Sequence, residues 1–287
     1  MAKAYGSTGD LLACCSGIGA SYDVSGSGSE QFRRGEECLE CLHDIQRYLR
    51  HDDPDTQQYH RKLGEWNIVR TKLLPLALLY KNDSDSTKGR KTLFTVTKLL
   101  VMLTMPLDTE MPEDADKRAW AAQVRQQQRH AASYKADFLR EGVILTFTSL
   151  LQEPLSHMGR KRTEKDNITI ELVLTLFRNL LVAGDPNAHA KMGDSDATDR
   201  LRRLHEDMVL ALHHEYVVQI ILMLTEDIES NANKDWNLLM LELFHLLFKD
   251  HARRVFLFLP AVYFLFIFAL HLLFSPTRSK LLLTMRC

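Results

Sequence analysis

The stretch DNITIELVLTLFRNLLVAGDP, Asp166 to Pro186, leaves this chain few ways to fold. Ile170, Val173, Leu174, Phe177 and Leu181 recur at helical spacing, and Ile168, Leu172, Leu176 and Leu180 lay a second apolar stripe beside the first. A surface helix of a globular protein carries one apolar stripe, roughly 100° wide. Two adjacent stripes demand a helix covered on two sides. Asp166 and Asn167 are the expected N-cap residues, able to accept from the free amides of a helix start. Glu171 suits the positive end of the dipole. Gly184 is the expected residue just past the end, with Asp185-Pro186 as the stop. Arg178 and Asn179 interrupt the apolar run. The expectation is that the Arg178 stem lies along apolar surface while its head reaches water, and that Asn179 bonds a neighbouring loop backbone. The alternative is a partner-binding pair in a groove.

The same kind of segment recurs: LLPLALLY, LLVMLTMP, ILTFTSLLQEP, LFRNLLVAGDP, IILMLTED and LFHLLFKD are leucine-rich and end in a polar or proline stop. No strand pattern is read before residue 250. The spacing is irregular, within the loose range of HEAT and armadillo units. Helices that are apolar on two sides need neighbours before and behind, which stacking supplies. The predicted fold is therefore all-α, an irregular HEAT/armadillo-like α-solenoid. An apolar share of 45%, with 13 Gly and 8 Pro in 287 residues, suits a helix-rich chain with a sizeable core. The net charge of −1 gives the whole chain no electrostatic pull on nucleic acid or membrane, so any such contact must come from a local patch.

In chain order, a short helix capped by Asp10 is expected first, followed by a Gly/Ser loop or linker over Ser21–Ser29. Glu36–Arg50 reads as a helix burying Cys38, Cys41, Leu42, Ile45, Tyr48 and Leu49, stopped by His51-Asp52-Asp53-Pro54. A short helix over Thr56–Leu63 is expected to break near Gly64. A second short piece covers Glu65–Arg70, and Thr71 then caps Lys72–Lys81 with Pro75 in its first turn. Thr87–Thr104 is a helix with Leu93, Val96, Leu100 and Leu103 on one side. Pro106 and Pro112 bracket a loop. Glu113–Leu139 reads as an exposed helix or bent pair with Gln126-Gln127-Gln128 in its middle and a thin apolar seam of Trp120, Val124, Ala131, Tyr134 and Phe138, a candidate for interaction against the plainer reading of a solvated helix. Val143–Leu151 is a short helix ended by Pro154. Asp199–His213 and Tyr216–Leu224 form a pair with a turn near His214, and Asn233–Lys249 is the last regular helix.

The chemistry-bearing residues are few. Five cysteines, an odd number, without an N-terminal secretory signal fit reduced thiols in a cytosolic or nuclear setting. Cys38 and Cys41 form a C-x-x-C. A structural zinc site needs four ligands, which Cys14 and Cys15 could complete, and core cysteines on an amphipathic face are the preferred reading. His205, His213 and His214 lack the H-E-x-x-H arrangement and read as exposed helix-end histidines. Neither a metal nor a cofactor is expected. No phosphate loop, nucleophile elbow or paired-carboxylate signature is found, so no catalytic residues are assigned. The basic segment SHMGRKRTEK supplies the one candidate contact. Arg160, Lys161, Arg162 and Lys165 could meet phosphate or a partner, or act as a nuclear-import signal, against the plainer reading of a solvated loop.

Six blocks then resemble, in order, the N-terminal domain of the Timeless family. LLACCSGIG is similar to its first helix. CLECLHDIQRYLRHDD resembles a C-L-x-x-x-x-D-I/L-x-R-Y-L-R-x-D/E-D segment, LGEWNIVRTKLLPL the helix leading into L-L-P, and LVMLTMP a V-x-L-T-x-P stop. DNITIELVLTLFRNLLVAGDP resembles the D-N-x-x-I-E helix with its R-N pair, and DWNLLMLELFHLLFKD the tryptophan-led last helix. The resemblance implies a nuclear, non-enzymatic scaffold of the replication-fork protection complex. It also implies a Tipin-like partner, contacts with the replicative helicase and other replisome proteins, a DNA contact, and support of fork stability and checkpoint signalling.

On this basis residues 1–252 are read as a Timeless-like α-solenoid and 253–287 as an atypical hydrophobic tail. Val255–Phe274 is almost wholly apolar and rich in Phe, and at about 20 residues it could span a bilayer. Pro260 and His271 weaken it as a span, and Arg253, Arg254, Arg278 and Lys280 flank both sides, leaving orientation unreadable. A truncated or splice-derived C-terminus is the preferred account. A membrane-anchored helical adaptor is the alternative.

Overall fold

The computed structural model describes residues 6–23, 30–80, 87–106, 116–157, 161–183, 195–226 and 236–248. They are helical almost throughout, as the repeated leucine-rich segments predict, and the chain divides into two units, Met1–Glu215 and Tyr216–Cys287.

The first unit opens with α1 (Thr8–Gly17). Its N-cap is Ser7 rather than Asp10. The Ser7 hydroxyl accepts from the Asp10 amide at 3.1 Å while the Asp10 carboxylate accepts the Ser7 amide at 3.3 Å, a reciprocal capping box with Asp10 at its third helical position. A hairpin follows, β1 (Gly19–Asp23) antiparallel to β2 (Glu30–Arg34), with Gly19 opposite Arg34 and Asp23 opposite Glu30. It corrects the expectation of a loop from Ser21 and of no strand. Five-residue strands of mostly polar residues carry no readable alternation, and tertiary anchors hold them instead. Lys72 Nζ donates to Gly19 O at 2.6 Å, and Arg34 donates to the Tyr80 hydroxyl at 2.8 Å. Gly19 has φ +147°, and a Cβ there would run into the Arg33 carbonyl.

α2 (Cys38–Arg50) buries Cys38, Leu42, Ile45, Tyr48 and Leu49 as its spacing predicts, with Cys41 only partly covered, and packs on α1. Asp52 does more than stop it. One carboxylate oxygen accepts the Tyr59 amide at 3.1 Å and the other the His60 amide at 2.8 Å, so Asp52 caps α3 (Gln58–Glu65) from upstream. That helix ends at Glu65, one residue past Gly64, so the break falls near Gly64 as expected; a Cβ on Gly64 would lie 2.7 Å from the His130 ring. Thr71 is not a cap. It lies inside a π-helical turn (Val69–Leu73) that runs directly into α4 (Leu74–Leu79), and its hydroxyl donates back to Asn67 O at 2.9 Å. Pro75 occupies the start of α4, where a missing amide costs little.

α5 (Thr87–Leu103) buries Leu93, Val96, Leu99, Leu100 and Leu103. α6 (Lys117–Phe138) buries the C-terminal end of its expected seam, Tyr134 and Phe138, with the Phe138 and Phe147 rings stacked 5.4 Å apart; Lys135 and Asp137 enter the core beside them, which a solvated helix would not show. The glutamines of its middle are bonded to the α3 region. Gln123 donates to Asp55 O and Thr56 O at 3.0 and 3.2 Å, Gln126 to Glu65 at 3.2 Å and Gln127 to Gln57 at 2.6 Å. After α7 (Val143–Thr148) a 3-10 turn (Ser149–Leu151) leads without a break into α8 (Gln152–Ser156). Pro154 therefore lies inside the first turn of α8 rather than ending the helix before it.

α9 (Glu164–Val182) is the two-faced helix of the opening stretch. It packs against α5, α6, α8, the 3-10 turn and α10 (Ser195–His214). Its first stripe is buried throughout. The second is split, with Leu176 and Leu180 fully buried, Leu172 partly covered and Ile168 46% exposed. The expected stop at Gly184 to Pro186 lies outside the described residues; the helix ends at Val182 with Ala183 as its C-cap.

The second unit contributes α11 (Val217–Glu226) and α12 (Asn237–Phe248), which pack on each other. Trp236, Met240, Leu243, Phe244 and Leu247 are buried, Leu239 less so. The turn expected near His214 falls at Tyr216, which has φ 61°. The tail from Val255 to Phe274 lies outside the described residues. Among those described, no single helix is long and apolar enough to cross a membrane.

Candidate nucleic-acid and partner interface

The basic segment leads into α9. The N-cap of that helix is Thr163, neither Asp166 nor Asn167. Its hydroxyl accepts from the Asp166 amide at 3.2 Å, and Asp166 Oδ2 accepts the Thr163 amide and hydroxyl at 2.8 Å each and the His157 ring nitrogen at 3.0 Å. Burial pushes the Asp166 carboxyl upward, but the Thr163 and His157 hydrogen bonds outweigh it and hold the group below the usual carboxylate range. The cap is thus a reciprocal box, the Asp166 amide answered by the Thr163 hydroxyl and the Thr163 amide by the Asp166 carboxylate, which places a negative group of the chain in the first turn.

Around this cap the candidate residues separate. Lys161 and Lys165 are exposed, whereas Arg162 is partly buried and its Nε donates to His157 O at 3.4 Å. Arg160 lies outside the described residues. What the structure brings together is two outward lysines flanking an occupied cap, with exposed Glu164 between them.

Arg178 and Asn179 do structural work, though not against a loop. Asn179 is 1% exposed, and its Nδ2 donates to Val101 O at 3.3 Å and lies 3.4 Å from the Thr104 hydroxyl. The last four carbonyls of a helix have no partner within it. At the end of α5 two of them are met from outside the helix. The Thr104 amide and hydroxyl both reach Leu100 O, and Asn179 reaches Val101 O. Arg178 donates to Asn179 Oδ1 at 3.0 Å, fixing which way the amide points.

The end of α9 is closed in a similar way. Lys135, 1% exposed, donates to Leu181 O at 3.2 Å and Ala183 O at 3.0 Å, and its Nζ lies 3.2 Å from His205 Nδ1. An ammonium has donors only, which suits an acceptor Nδ1 on His205. His205 is therefore a buried member of a three-helix joint, not an exposed helix-end residue. His214 is exposed and His213 partly covered. Sequence spacing could not reveal Lys135, because a lysine on a polar helix reads as solvent-facing until the partner helices are placed.

No group of three or more His, Cys, Asp or Glu side chains among the described residues could hold a metal ion. Burial pushes the Cys15 thiol up to about 12 and Cys38 up to about 11, and Cys14 and Cys41 are raised as well, which disfavours the thiolates a soft metal needs. A cleft of about 230 Å³ between α5 and the α7–α8 segment is lined by Tyr80, Arg90, Leu93, Ser149 and Glu153, with an Arg90–Glu153 ion pair within it. It is smaller than the usual ligand pocket.

These features define an all-α protein whose helix ends are closed by side chains from neighbouring helices and whose candidate contacts lie on the surface. The chain belongs to the Timeless family. The family model described as Timeless protein matches residues 31–257. The chain is 31% identical over 245 residues to the Protein timeless homolog of Mus musculus, covering 84% of this chain and 18% of that protein. It is 31% identical over 246 residues to the Homo sapiens homolog, with the same coverage. It is also 28% identical over 248 residues to Topoisomerase 1-associated factor 1 of Aspergillus oryzae, covering 80% of this chain and 20% of that protein. The chain spans about a fifth of the length of the curated relatives it matches.

Proposed function

We propose that this chain is a helical platform of a nuclear, non-enzymatic scaffold that protects replication forks, stabilising paused forks and supporting checkpoint signalling through protein contacts. The observation that carries the reading is the family match across residues 31–257. A relative named for association with topoisomerase 1 supports work on replicating DNA. The architecture of the platform is an irregular HEAT/armadillo-like α-solenoid, a reading supported by α9, which is buried against helices on more than one side. The partners are a Tipin-like subunit and replicative helicase proteins, with a DNA contact through Lys161 and Lys165 and their neighbours Arg160 and Arg162.

The test is affinity capture of the full chain from nuclear extract, beside a variant carrying Lys161→Glu and Lys165→Glu. The reading expects helicase subunits with the parent chain, and weaker DNA retention with the variant. A folded chain that captures neither helicase subunits nor a Tipin-like subunit contradicts it.

A further inference from the structure

On α6, one face is kept for arginine. Arg118, Ala122, Arg125, Arg129, Ser133, Ala136 and, just past the helix end, Arg140 are all exposed. At 3.6 residues per turn these positions fall within an arc of about 80°, and the rise of 1.5 Å per residue puts Arg118 and Arg129 about 16 Å apart and Arg118 and Arg140 about 33 Å apart. The remaining faces are committed elsewhere, the glutamines to α3 and Tyr134, Lys135 and Phe138 to the core. Arg118, Arg125, Arg129 and Arg140 form no ion pair among the described residues. Asp137, the one acid within α6, is 5% exposed, and Arg70 of the π-helical turn approaches its Oδ1 to 3.8 Å, adding a further exposed guanidinium at this end. Two exposed acids flank the stripe among the described residues, one at each end: Asp116, the N-cap of α6, whose carboxylate accepts the Arg118 amide at 2.8 Å, and Glu141, one residue past Arg140.

We propose that this arginine stripe is a binding surface for the phosphate backbone of duplex DNA. The inference deepens the fork reading by giving the chain a second DNA surface, on a different element from the Lys161–Lys165 segment. Charge complementarity selects the ligand class, and what lies between the arginines selects within it. A protein partner would need aromatic or large apolar anchors, and single strands are held by stacking on aromatic side chains. The stripe offers only Ala122, Ser133 and Ala136 between its charges, and none of the exposed large apolar residues lies on α6. Phosphate contact needs spaced cations and nothing else, and arginine forks suit it. Such contacts position without reading sequence.

The experiment is fluorescence anisotropy of the full chain with two labelled duplexes of unrelated sequence, from about 50 to 200 mM salt. Arg125→Gln with Arg129→Gln is compared with Lys161→Gln with Lys165→Gln. Both α6 positions are exposed and unpaired, so helix content and melting should match the parent. The α6 variant should weaken binding to both duplexes alike and flatten the log K against log salt slope by about 2, roughly 0.9 for each phosphate that is no longer neutralised. Parent-like binding by the α6 variant with weaker binding by the lysine variant would overturn the assignment to α6 and keep a DNA role for the other segment. No duplex binding by the parent chain would overturn the proposal while leaving helicase capture as a separate result. Binding of poly-glutamate in preference to DNA, abolished in the α6 variant, would overturn the nucleic-acid ligand in favour of an acidic protein.

Discussion

A single amide shows how much of this chain's polar chemistry is spent on helix ends. Asn179 carries the donor for Val101 O at the end of α5, and Arg178 orients it. Asn179→Ala should therefore destabilise the first unit by about 1–3 kcal/mol, the cost of leaving a buried carbonyl unanswered, read as a lower denaturation midpoint with an unchanged slope. A loss below a few tenths would show that water replaces the amide. His60 feels the carbonyls of the same helix end and gives a pH signature. Burial lowers its pKa, against the opposing pull of Asp52 and the two carbonyls. A histidine whose folded pKa lies below its unfolded value of about 6.5 leaves stability intact above that pH and costs stability as pH falls below it, because the unfolded chain takes up the proton first. His60→Gln retains a donor without the titration. Its melting temperature should fall less than the parent's between about pH 7 and 5.5. Parallel curves would contradict the assignment.

At the scale of elements, the α3–α6 crossing is set by how closely two helices approach. Gly64 faces the His130 ring at a distance no ordinary Cβ tolerates. In isolation Gly→Ala within a helix stabilises by about 1 kcal/mol. Here Gly64→Ala should destabilise by about 1–3 kcal/mol through overpacking, and in a His130→Ala background the sign should reverse. A double-mutant cycle with no coupling would show that the ring simply swings aside. Elsewhere the sequence misleads. Thr71 and Pro154 look like helix punctuation. Both sit inside helical segments, because a threonine bonding back to its own turn and a proline in a first turn leave the same letters as a cap or a break.

For the whole molecule, the apolar periodicity was enough to place nearly every described helix and most of the buried faces, since burial on a helix repeats every three to four residues. The hairpin was hidden because its strands are short and polar and are held by Lys72 and Arg34 from elsewhere in the chain. The Lys135–His205 joint was hidden because it joins three helices whose neighbours only the fold reveals. Of the candidate site, Lys161 and Lys165 stand exposed as the basic run suggested, while Arg162 turns to His157. The α6 stripe was present in the letters, four arginines along one helical face, but could be separated from a solvated helix only once the other faces had found partners.

The central claim is that this chain works at replication forks. Its most direct test is capture of proteins on pulse-labelled nascent DNA in cells expressing the tagged full chain, with and without a thymidine chase. The account predicts enrichment on nascent DNA that falls away after the chase, as the label moves behind the fork. Equal recovery before and after the chase, or none in either, would contradict it.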